Sequence, residues 1–250
     1  MARMIQRLLK ETKGQLVSFN GGTKDNAIPR ECEASLIYES DEEAAKAEEL
    51  ACELAETYAE ELTPAEPDFS CEISCETNRT AEAIPQDAAK EFICAMRLAP
   101  NGIQKRNIKM DGFVVVSLNL GVVRTEEDRI VMIFSPRSSV ASLQEDTKER
   151  LNTLAETFGF TVSHSSEYPG WSFKEDSPVR EICKESYKEL FGEDLKIEAI
   201  HAGLECGLFS DAIKGLDAIA IGPTIANCHT PDEYLTLDSF ERFYEFLKDI

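Results

Sequence analysis

Beyond residue 167 only two short apolar runs, residues 195–200 and 217–221, read as strands, and each leads into a helix, over residues 206–213 and 237–250. Strand and helix in alternation is the grammar of a parallel sheet. Two strands cannot make a doubly wound sheet alone, so this last third reads as an incomplete α/β segment whose other strands lie elsewhere. A further helix opens it at Ser177-Pro178 and runs to Leu190, with proline where a missing N–H costs little.

The residues before 167 follow a different pattern. Met4, Ile5, Leu8 and Leu9 recur at helical spacing. Residues 15–20 read as a strand entering a turn at Gly21-Gly22, and Cys32, Ala34, Leu36 and Tyr38 alternate with polar residues as a half-buried strand does. Ser40 and Asp41 cap a helix whose Ala44, Ala47, Leu50, Ala51, Leu54, Tyr58 and Leu62 form one apolar stripe, ended by Thr63-Pro64. Residues 69–76 read as a third strand. A second set follows: a helix over 85–98, strands over 113–123 and 129–136, a helix over 145–158 stopped at Gly159, and a strand over 160–165. The prediction is an α+β region, a duplicated antiparallel sheet with helices on one face. Glu167-Tyr168-Pro169-Gly170-Trp171 breaks the pattern and divides residues 1–166 from 167–250.

Formal net charge is −21, with acids concentrated in stretches such as residues 39–66. Such a field repels phosphate backbones and argues against a nucleic-acid partner. No run approaches the roughly 20 apolar residues of a membrane span, and the N-terminal residues lack the features of a secretory signal. A cytoplasmic address is expected. The eight cysteines form no CxxC pair and no compact framework, which fits buried thiols in a reducing compartment.

Chemistry concentrates in two loops of the last third. His201-Ala202-Gly203-Leu204-Glu205-Cys206-Gly207 follows one predicted strand, and Gly222-Pro223 through Cys228-His229-Thr230-Pro231-Asp232-Glu233 follows the next. Strand ends are where open α/β sheets hold ligands. A histidine in each loop suits half of a metal or substrate site, although a lone histidine after a strand is more often a hydrogen-bonded structural residue. With three histidines in the chain and no HxxxH, HExxH or HxD pairing, no complete zinc site is readable from spacing. There is no GxSxG elbow, and Gly21-Gly22 with Lys24 is not a P-loop. The residues by themselves define a place for chemistry and no reaction.

Six motifs in order carry a resemblance: residues 19–29 (Phe19-Asn20-Gly21-Gly22 through Asn26-Ala27-Ile28-Pro29), Leu98-Ala99-Pro100-Asn101-Gly102, residues 117–123 with Ser117-Leu118-Asn119-Leu120-Gly121, Tyr168-Pro169-Gly170-Trp171, residues 201–209, and residues 222–233. Together they resemble the M20 metallopeptidases of the aminoacyl-histidine (Xaa-His) dipeptidase type. The resemblance implies a lid over residues 1–166 that closes on a dipeptide, and residues 167–250 as the C-terminal part of a catalytic domain with two zinc ions. His229 matches the family's last metal ligand. Asn26 matches a lid residue that contacts substrate, and Arg137 the arginine that binds the dipeptide's terminal carboxylate, a planar anion suited to a guanidinium fork. A surface arginine at a strand end is the competing reading of Arg137. His201 and Glu205 are expected to line the substrate pocket, with Glu205 facing the amino group.

The family's upstream segment, which supplies most metal ligands and the general base, has no counterpart here. The expectation is a truncated or split portion of a cytosolic metallo-dipeptidase, inactive alone, with a dipeptide as substrate and a homodimer mate or the missing N-terminal half as partner. The alternatives are a non-catalytic lid, dimerisation or binding module, and a half-enzyme completed in trans.

Overall fold

The computed structural model describes residues 1–108, 112–166, 169–171, 173–198, 204–228 and 232–250. Seven helices and seven strands follow one another as α1 (Ala2–Glu11), β1 (Gln15–Gly21), β2 (Cys32–Ile37), α2 (Asp41–Leu62), α3 (Gln86–Leu98), β3 (Gly102–Asn107), β4 (Phe113–Thr125), β5 (Ile130–Ser138), α4 (Ala141–Phe158), α5 (Pro178–Phe191), α6 (Glu205–Ala212), β6 (Ile225–Ala226), β7 (Tyr234–Leu235) and α7 (Leu237–Asp249) among the described residues. They divide into two compact units. The first holds Met1–Gln104, Ser117–Pro136 and Glu145–Ser163; the second holds Lys105–Val116, Arg137–Gln144 and His164–Ile250.

The expected duplicated sheet is a single five-stranded sheet in the order β2-β1-β4-β3, with β5 also paired to β4. β1 and β2 are antiparallel from Gln15↔Ile37 to Gly21↔Cys32, with an irregularity between Leu16 and Ser18. β1 then meets β4 antiparallel at Gly21↔Val123. Side chains extend this short junction. The Phe19 N–H donates to Thr125 Oγ1 at 2.8 Å, and the Thr125 N–H donates to Asn20 Oδ1 at 2.9 Å. These bonds join the two predicted sets of strands into one sheet, which alternation within each strand does not reveal.

The first unit owns the main core. Met4, Ile5 and Leu8 of α1, Ala47, Ala51, Leu54 and Tyr58 of α2, and Ala89, Phe92 and Ile93 of α3 bury against Leu16 and Phe19 of β1 and Val123 of β4. Phe19 meets Phe92 edge to face at 5.5 Å, the geometry aromatic quadrupoles favour. α2 begins where its sequence requires: Ser40 is extended, and its side chain accepts the Glu43 N–H at 3.3 Å.

In the second unit α5 and α7 pack through Tyr187 and Phe246, whose rings meet edge to face at 5.3 Å, and Ser186 donates to Asp249 at 2.7 Å. Asp217 takes the Val179 N–H at 3.0 Å. That bond comes first among the causes holding its carboxyl below the ordinary range. The start of α5 is thereby tied to the segment before residue 221.

Several expected strands are not there. Residues 69–76, 160–165 and 217–221, and the described part of 195–200, carry no strand pairing. Cys71 and Ile73 do pack against the core of the first unit. Their alternation records side-chain packing, not a hydrogen-bonded ladder. The expected parallel sheet of the last third is accordingly absent among the described residues, where the second unit's own pair is the two-residue antiparallel β6-β7. Conversely, β3 escapes a reading by apolar alternation because Gln104, Lys105, Arg106 and Asn107 make most of it polar. The cysteines are free, but Cys32, Cys52, Cys75 and Cys228 are exposed, so the expectation of uniformly buried thiols holds only for part of the set.

Candidate functional site

In the first unit, three of the motifs meet around one loop. Gly22 has φ +70°, and a Cβ there would stand 1.9 Å from the Gly121 carbonyl oxygen. A Cβ on Gly121 would stand 2.3 Å from the Asp25 carbonyl oxygen. Only glycines allow backbones this close. The loop between β1 and β2 therefore lies directly on β4. Its neck is closed by the Gly22 N–H donating to the Glu31 carbonyl at 3.2 Å, and its tip by the Ala27 N–H donating to the Lys24 carbonyl at 3.3 Å. Asn119 on β4 donates to the carbonyls of both Asp25 and Ala27 at 2.8 Å. Asn101 braces the next residue by accepting the Leu120 N–H at 2.8 Å. Asn26 sits at the tip, exposed. The sequence singled out Asn26 but missed Asn20, Asn101 and Asn119. The available signal is the recurrence of asparagine one or two residues before glycine in motifs far apart in the chain.

In the second unit, Arg137 lies in β5 two residues before Ser139 and is half-buried. The chain carries 47 acidic residues against 26 basic ones. Two other half-buried arginines are engaged: Arg180 donates to the Lys174 and Glu175 carbonyls, and Arg242 pairs with Glu193 at 2.7 Å. Within the paired strand β5, the Arg137 side chain makes no ion pair or hydrogen bond among the described residues. A partly desolvated, unpaired guanidinium is a ready receptor for a carboxylate.

Two further glycines tie Arg137's neighbourhood to α6. A Cβ on Gly170 would come within 2.6 Å of the Ser138 carbonyl oxygen, and one on Gly207 within 2.7 Å of the Pro169 carbonyl oxygen. The Pro169-Gly170-Trp171 segment is thus packed on one side against the end of β5 and on the other against α6. Glu205 is the first residue of α6 and is exposed. Cys206, beside it, points its thiol at the Ile219 carbonyl at 3.8 Å. An open hollow of about 1790 Å³ adjoins this packing; Ser139, Gly170, Trp171 and Leu204 line it, and Arg137 and Glu205 do not.

Gly207→Ala tests this packing. The added methyl gains helix propensity of about 1 kcal/mol, but overpacking against a backbone oxygen costs about 1–3 kcal/mol. The chain's single tryptophan is the probe, because Trp171 Cβ lies 3.5 Å from where the Gly207 Cβ would be. Gly207→Ala should shift Trp171 emission to the red and weaken its near-UV circular dichroism. Unchanged spectra would mean that α6 does not rest on this segment.

His201 and His229 lie outside the described residues. Among the described residues no group of three or more His, Cys, Asp or Glu side chains could hold a metal ion, and the predicted ligand His229 is not one of the residues searched. Asn26 belongs to the first unit, and Arg137 and Glu205 to the second.

The model of peptidase family M20/M25/M40 matches residues 22–250, and the chain belongs to that family. It is 31% identical over 254 residues to the cytosol non-specific dipeptidase of Escherichia coli (strain K12), a match spanning 100% of this chain and 51% of that protein. The crystal structure of aminoacylhistidine dipeptidase from Vibrio alginolyticus superposes with a TM-score of 0.81 at 32% identity, over 98% of this chain and 51% of that one. The chain spans about half the length of the relatives it matches. No helix among the described residues is long and apolar enough to cross a membrane.

Proposed function

We propose that this chain is the C-terminal portion of a cytosolic metallo-dipeptidase that hydrolyses Xaa-His-type dipeptides, with residues 1–166 as its lid and 167–250 as a segment of its catalytic domain. The observation that carries this is Arg137, a half-buried guanidinium without a partner among the described residues in a chain rich in carboxylates. It receives the dipeptide's terminal carboxylate. Glu205 faces the amino group, His201 lines the same pocket, and Asn26 meets the substrate from the lid. Dipeptidase relatives of twofold length support the substrate class.

His229 would be the one zinc ligand this chain contributes, and the metal, where bound, would supply activation of the attacking water. The remaining ligands and the general base come from other polypeptide, so the chain alone is inactive. The surface of the second unit supports a polypeptide partner. On α7, Leu237, Phe240, Tyr244 and Leu247 are exposed at helical spacing, while Phe246 is buried against α5. A helix apolar on two faces is built to be covered on both.

The test is reconstitution. Purified chain with zinc and a Xaa-His dipeptide should give no hydrolysis. Co-expression with a polypeptide corresponding to the first half of its relatives should give a stable complex that hydrolyses the dipeptide. Hydrolysis by the chain alone would overturn the claim of an incomplete site. Association without hydrolysis would favour a non-catalytic lid or dimerisation module.

A further inference from the structure

We infer that Asn119 is a positioning residue for Asn26: its side-chain amide fixes the backbone on both sides of Asn26 and so aims the Asn26 side chain. This deepens the proposed function and rests on Asn26 meeting substrate. Both donor hydrogens of Asn119 are used, one on the Asp25 carbonyl and one on the Ala27 carbonyl, each at 2.8 Å. The two acceptors bracket residue 26 and no other. The Asn26 side chain itself makes no hydrogen bond among the described residues and is exposed.

A loop of this kind is ordinarily mobile, because an exposed connection has little to hold it. Here the neck and tip turns restrain it along its length, and the Gly22 and Gly121 contacts bring it down on β4. What glycine packing cannot supply is direction. Close approach sets the height of the loop above the strand, whereas two hydrogen bonds from one planar amide set the orientation of the peptide units flanking Asn26. Asn101, accepting from Leu120, in turn holds the strand that carries Asn119. A contact residue already ordered before substrate arrives loses less entropy on binding.

The chemistry separates donors from bulk. Asn119→Asp keeps the shape but replaces the one nitrogen that carries both donor hydrogens by a carboxylate oxygen facing two carbonyls. Asn119→Ser keeps one shorter donor. The full-length chain is used, with two readouts: amide hydrogen exchange at residues 24–28, and the side-chain amide resonances of Asn26. Losing two hydrogen bonds near a tip should speed exchange at Asn26 and Ala27 by about tenfold in Asn119→Asp, with an intermediate effect in Asn119→Ser. The Asn26 side-chain resonances should shift and sharpen as the flanking peptides lose their fixed orientation, while exchange in α2 and α3 stays as in the parent.

Unchanged exchange and unchanged Asn26 resonances in Asn119→Asp overturn the inference. If that variant fails to fold, Asn119→Ser decides by the same readouts. The substrate role of Asn26 is judged separately, in the reconstituted complex. There Asn26→Ala and Asn119→Asp should both raise KM with little change in kcat. If neither moves KM while the exchange result holds, Asn26 is not a substrate contact and the positioning of its loop still stands.

Discussion

Arg137→Ala is expected to raise KM of the reconstituted complex for a free dipeptide by roughly ten- to 150-fold, the equivalent of the 1.5–3 kcal/mol assigned to a charge-assisted hydrogen bond. On the proposed function the guanidinium has no other task, since it pairs with no carboxylate or carbonyl among the described residues. Folding stability should therefore change little. Arg137→Lys should recover part of the charge but not the planar fork, and so should stay well below the parent. A C-terminally amidated dipeptide is the decisive control. It lacks the anion, so parent and Arg137→Ala should handle it alike. If the variant loses the same factor on the amide, Arg137 does not read the carboxylate. If it instead unfolds at lower denaturant, the arginine is a structural residue of β5.

The helices were legible because their physics is local. Ser40 caps α2 and the Ala47, Ala51, Leu54 and Tyr58 stripe buries, as its spacing requires. Strands were less legible, because alternation specifies which side chains are buried and says nothing of what the backbone pairs with. Cys71 and Ile73 satisfy the pattern by packing on the core without joining the sheet. The polar β3 pairs with β4 without showing the pattern.

The same division holds for the site. Asn26, Arg137 and Glu205 are singled out by motifs, and the Arg137 side chain is half-buried with no partner among the described residues. The asparagines and glycines that organise the Asn26 loop were visible only as motif letters. Their work is to bring together residues some 94 positions apart, as Asn119 and Asp25 are, and nothing in local sequence announces such a contact. Placing Gly22 against Gly121 and Gly170 against Ser138 required the backbone itself.

Phe19→Ala should produce the largest loss of stability, and the loss should fall on one unit alone. Phe19 is 2% exposed and stacks edge to face on Phe92. Truncating such a ring costs about 3–5 kcal/mol, a large fraction of the roughly 5–15 kcal/mol that holds an ordinary domain together. The buried apolar side chains are unevenly shared. Among the described residues the second unit contributes Val116, Cys183 and Phe246, and all the others belong to the first. Denaturant should therefore open the second unit at the lower midpoint, followed by Trp171 fluorescence, with the first unit opening later, followed by far-UV circular dichroism of α2 and α3. Phe19→Ala should move the later transition to much lower denaturant and leave the Trp171 transition where it is, whereas Phe19→Leu, which keeps most of the volume, should move it less. Equal displacement of both transitions would mean that the chain unfolds as one cooperative body, so that the core around Phe19 also sustains the segment carrying Glu205. Stability and the proposed pocket would then be inseparable in this chain.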